Sequence, residues 1–130
     1  MKIKFVVPIY EFDLVVVVRP SKKELSNLVE WVDGDADGVL DGYESRINEG
    51  WAWTNGDYKR GLVAVTKCND NKETYKVLRH ELRHVEDRIL EIHRVKDIES
   101  AALLSEYISG KLFDLITKIT RDEKVEEKLD

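Results

Sequence analysis

The sequence predicts an α+β domain, a sheet of a few strands packed on a central helix and a long helix after it. Three observations carry this expectation. Two stretches near the start, 3–10 and 14–19, are rich in β-branched and aromatic residues, and a second strand pair is centred on Trp51-Ala52-Trp53 and 62–66. Downstream of Asp70 the apolar residues Val77, Leu78, Leu82, Val85, Ile89 and Ile92 recur at i, i+3, i+4 spacing, which is one face of a helix. A chain of 130 residues with 42% apolar content suffices for one cored domain. We assign it to residues 1–120, with 121–130 as a charged, frayed tail.

Each element has a local cause. The first two strands turn near Glu11, and the valines 15–18 lack polar alternation, so they read as a strand covered on both faces. Pro20 stops that strand, and Ser21-Lys22-Lys23-Glu24 has the form of a capping box that opens a helix over 22–32. Asn55-Gly56 marks the turn of the second strand pair. Asp70-Asn71-Lys72-Glu73 is another capping box, opening the central helix. Asp97 is placed as the N-cap of a last helix over 98–119.

Charge and composition narrow the function. A net charge of −5 supplies no general attraction to nucleic acid or anionic membrane, so neither is expected as a partner. The single cysteine, Cys68, rules out an internal disulfide. The lysines and apolar residues at the start are interrupted by Pro8, Glu11 and Asp13, and no export signal is visible. A cytoplasmic protein is therefore expected.

The chemistry concentrates in His80-Glu81-Leu82-Arg83-His84. Four residues is about one helical turn, so His80 and His84 can aim both imidazoles at one point, as two ligands of a zinc ion require. Glu81 is placed to move a proton without binding the metal. A third ligand is expected from downstream. Acids up to Glu91 share the motif's own helix and reach round it poorly. Glu99, in the first turn of the next helix and followed by the small residues Ser100, Ala101 and Ala102, is the first choice, with His93, Asp97 and Glu106 as alternatives. Asp87 is one turn from His84 and placed to orient it. Tyr107, His93 and Arg83 are the expected donors to a developing oxyanion.

With HExxH on one helix and a glutamate on the next, the chain resembles the zincins, and among them the gluzincins. The segment 80–102, HELRHVEDRILEIHRVKDIESAA, is similar to small stand-alone bacterial and mobile-element members. The resemblance implies a zinc metallopeptidase, with His80, His84 and Glu99 on zinc, Glu81 as general base and acid, and a peptide or protein substrate held along an edge strand, for which 62–66 is the expected segment. The other readings are a zinc-binding module without turnover and, more weakly, a calcium-binding domain.

The calcium reading rests on residues 33–44, which resemble the twelve-residue loop of EF-hands. Asp33, Asp35 and Asp37 fall at positions 1, 3 and 5, Gly38 at the sharp turn, Val39 at the carbonyl position, Asp41 at position 9 and Glu44 at position 12. The alternative is an acidic, solvated turn. Calcium should bind with a dissociation constant of roughly 10⁻⁴ M, the range of extracellular modules. At a hundredfold excess it should then stabilise the chain by about 2.7 kcal/mol. A calcium titration of the melting temperature on wild type and on Asp33→Ala/Glu44→Gln checks this: only the wild type should respond.

Overall fold

A computed structural model describes residues 1–34 and 49–129, with side chains to Arg121. Seven elements follow in order: β1 (Lys2–Val7), β2 (Phe12–Val18), α1 (Lys22–Asp33), β3 (Gly50–Asn55), β4 (Arg60–Val65), α2 (Asn71–Ile92) and α3 (Ile98–Leu129). The class is α+β, as the sequence predicts.

The four strands form one sheet in the order β1-β2-β4-β3. β1 and β2 pair antiparallel, with Lys4 opposite Val15, and β3 and β4 pair antiparallel, with Trp53 opposite Leu62. The central pair, β2 and β4, is parallel, with Val16 opposite Val63. Parallel neighbours need a crossover, and α1 lies in it.

Both central strands are covered on both faces. Val15 and Val17 of β2 pack with Leu62 and Ala64 of β4 beneath Leu25, Val29 and Val32 of α1, joined by Trp51 and Trp53. Leu14, Val16 and Val18 turn the other way with Val63 and Val65, against Leu78, Leu82, Val85 and Ile89 of α2 and Leu104, Ile108, Leu112 and Leu115 of α3. The expectation for the valine run therefore holds, and the layers are helix, sheet, helix pair.

The sheet order corrects one expectation. The segment 62–66 is not an edge: β4 is hydrogen-bonded to β2 on one side and β3 on the other. A strand that follows a hairpin and then joins the crossover strand in parallel is left in the interior, so β3 takes the edge.

Local signals set the helix ends. The Ser21 Oγ accepts the Glu24 N–H at 3.1 Å, and the Asp70 Oδ1 accepts the Glu73 N–H at 2.8 Å. At the far end of α1, Gly34 has φ 84° and its N–H donates to Glu30 O at 2.7 Å, a left-handed cap that suits glycine. The hairpin completes this cap: Asn55 Nδ2 donates to Val32 O at 3.0 Å and Arg60 Nη1 to Trp31 O at 2.9 Å. The Asn55 Oδ1 meanwhile accepts the Asp57 and Tyr58 N–H groups within the turn. At its C-terminal end α3 differs from expectation, because the helix continues beyond 119 to Leu129. The added stretch, RDEKVEEKL, consists largely of good helix formers.

The two long helices run antiparallel. Arg79 Nη1 donates to Ser109 Oγ at 3.0 Å and Asn71 Nδ2 to Thr120 Oγ1 at 3.1 Å. Between them lies a feature that the apolar stripe does not announce. Glu86, two turns from Arg79, is 1% exposed and ion-paired with it, while its Oε1 has no partner among the described residues. Arg79→Ala should therefore strand a buried carboxylate and destabilise the fold by about 3–5 kcal/mol. The double variant Arg79→Met/Glu86→Leu should recover most of that loss, and thermal or urea unfolding of the two proteins measures the difference.

Candidate metal centre

The phase of α2 determines what the HExxH residues face. Leu78, Leu82, Val85 and Ile89 are buried against the sheet and α3, which turns His80 and His84 outward, and both are exposed. Their Nε2 atoms lie 3.3 Å apart, with ring centroids at 4.9 Å and planes at 85°. Two nitrogens at about 2.0–2.1 Å from a tetrahedral zinc are themselves separated by about 3.3–3.4 Å. The spacing of the pair thus matches two corners of a zinc site.

Glu81 points from the same turn towards the sheet edge and is half-buried. The backbone of β3 lies directly against it. A Cβ built on Gly50 would sit 2.7 Å from Glu81 Cγ and 2.6 Å from Val77 Cγ1, so no larger residue fits there without displacing them. The Glu81 carboxylate makes no hydrogen bond or ion pair among the described residues, which leaves it free to exchange a proton. Gly50 is the site residue that sequence reasoning missed. Its signal was a glycine opening an otherwise aromatic strand, a pattern that often marks close backbone approach.

The other expected residues are placed elsewhere. Glu99 is exposed in the first turn of α3, ten residues before Ser109, which in the antiparallel pair puts it near the level of Ile89, about 7 Å along the axis beyond His84. The side of α2 that meets α3 carries Arg79 and Glu86, and the two histidines are turned about 100–160° away from it. Geometry therefore does not bring Glu99 to the histidine pair. Among the described residues no three His, Cys, Asp or Glu side chains converge as metal ligands.

The alternatives are likewise engaged or distant. Asp97 caps α3 by accepting the Ser100 N–H at 2.8 Å, and hydrogen bonds from the Ser100 side chain and then its backbone lower the Asp97 pKa. His93 ends α2, its Nδ1 2.9 Å from Ile89 O, its ring edge-on to Tyr10 with centroids 5.0 Å apart, and its buried Nε2 without a partner among the described residues. Glu106 is exposed on the outer side of α3. Asp87 pairs with Arg83 at 3.3 Å. The Tyr107 hydroxyl donates to Val6 O on β1, away from the histidines, which leaves Arg83 as the one expected oxyanion donor beside them. In the calcium stretch, Asp33 closes α1, while Asp35, Asp37, Val39, Asp41 and Glu44 lie outside the described residues.

Comparison with protein-family models, curated proteins and solved structures finds no match to this chain.

Zinc titration of single variants follows from this geometry. His80→Ala and His84→Ala should each weaken zinc binding by at least a hundredfold, whereas Glu99→Ala should stay within about threefold of wild type, since loss of metal-ligand bonds outweighs second-order effects. A hundredfold loss in Glu99→Ala would instead make the first turn of α3 part of the site.

Proposed function

We propose that the chain is a minimal zinc-dependent peptide hydrolase, with His80 and His84 as ligands and Glu81 as general base and acid. The observation that carries the reading is the 3.3 Å approach of the two Nε2 atoms beside a half-buried carboxylate that has no hydrogen bond or ion pair among the described residues. Zinc bound there would act as a Lewis acid on the scissile carbonyl and make the attacking water more acidic.

The chain's own residues perform the rest. Glu81 accepts the proton of the attacking water and delivers it to the leaving amine, the two halves of general base and acid catalysis. β3 offers its outer backbone edge, which pairs with no strand among the described residues. An extended peptide can add to that edge through main-chain hydrogen bonds, and Gly50 at its start brings the bound backbone close to Glu81. Arg83, 56% exposed by its side chain, can turn from Asp87 towards a developing oxyanion.

A second reading, a zinc-binding module without turnover, is favoured by the open, exposed position of both imidazoles. Glu81→Gln separates the two. The variant should hold zinc as wild type does while cleavage of unstructured peptides falls by about 10²–10⁴-fold, the usual contribution of a positioned acid–base group. Cleavage undiminished in Glu81→Gln would end the hydrolase mechanism. Zinc-loaded wild type that cleaves nothing in a broad peptide library would establish the binding module.

A further inference from the structure

A catalytic zinc ion takes three protein ligands and a structural one takes four. His80 and His84 supply two, with their Nε2 atoms 3.3 Å apart and both rings exposed. Among the described residues no third His, Cys, Asp or Glu converges with them. Two ligands on an open face are what half of a symmetric four-ligand site presents, because a two-fold axis through the ion supplies the same two again.

The charges beside the histidines suit such a self-match. Lys76, Arg83 and Arg88 flank the pair, and each is ion-paired along its own helix: Lys76 with Glu73 at 3.4 Å, Arg83 with Asp87 at 3.3 Å and Arg88 with Glu91 at 3.0 Å. Acid balances base in this patch, so a second copy of it meets no net repulsion. Coordination geometry limits the contact further. Two chelating pairs on one tetrahedral ion lie in perpendicular planes, and residues four apart are displaced mainly along the helix axis. Two α2 helices joined in this way cross steeply, and their contact is confined to about one turn on either side of the ion.

We infer that two copies of the chain share one zinc ion, each giving His80 and His84, with the two-fold axis passing through the ion. The inference rests on the reading of these histidines as zinc ligands and adds a regulated state to it. Four imidazoles fill the tetrahedron, so the shared site has no position left for water or a scissile carbonyl and does not hydrolyse. Glu81, which is not a ligand, then has no water to act on. Separation of the copies opens the site, and the unpaired chain is the hydrolase. Chain concentration therefore sets the active fraction by mass action.

Sedimentation equilibrium of the full chain with increasing zinc tests the inference. The mass should double as zinc approaches about half an equivalent, and chelation should return it to that of a single chain. His80→Ala and His84→Ala should each weaken this association at least tenfold, with circular dichroism unchanged because both side chains are exposed. X-ray absorption of the zinc-loaded dimer should show four imidazole nitrogens at about 2.0–2.1 Å. A monomer that binds one zinc per chain overturns the inference while leaving the zinc site of the hydrolase standing. Wild type that takes up no zinc in calorimetry ends both. A dimer that forms without zinc, or that persists in His80→Ala/His84→Ala, overturns the shared site alone.

Discussion

The fold depends on burying both faces of β2. Leu14, Val16 and Val18 leave the strand on one side, Val15 and Val17 on the other, and all are almost fully buried. A strand with two apolar faces needs a layer of helix on each, and parallel pairing with β4 provides one by routing α1 through the crossover. The opposite face is closed by α2 and α3. Full burial of Val63 and Val65 in β4 follows from the same arrangement.

That constraint also places the chemistry. With β4 held in the interior, its hairpin partner β3 becomes the rim, and α2 packs along that rim with Gly50 against Val77 and Glu81. The buried stripe of α2 fixes the helix's rotation, so the histidines emerge beside the free strand edge and Glu81 lies between helix and strand. A one-residue slip of the stripe would turn the His80–His84 pair together by about 100° about the helix axis, away from its place beside the strand edge. Core packing is therefore what aims the site.

The helix pair shows a second use of charge. Arg79 and Glu86 occupy the seam between α2 and α3, where leucines would pack more cheaply, and Arg79 is also tied to Ser109. Such a pair stabilises less than its closeness suggests, because both groups surrender water. It does fix how far α3 slides along α2, and with the Asn71–Thr120 hydrogen bond it fixes the antiparallel register. That register sets Glu99 near the level of Ile89, on the side of α2 turned away from the histidines.

The sequence by itself determined what short-range physics controls. Ser21 and Asp70 mark helix ends because capping involves neighbours within four residues. The valine run declares a doubly buried strand because solvent would demand polar alternation, and His80 and His84 converge because one helical turn brings them together. What needed the tertiary structure was every relation between elements. Strand order is not encoded in any one strand, so 62–66 and β3 exchanged places as interior and edge. The position of Glu99 depends on how far α3 slides past α2, and the small residues after it reveal closeness without revealing level. Gly50 gained its meaning only when Glu81 was found beside it, because the steric limit that keeps it a glycine comes from a helix three decades of residues away in the chain.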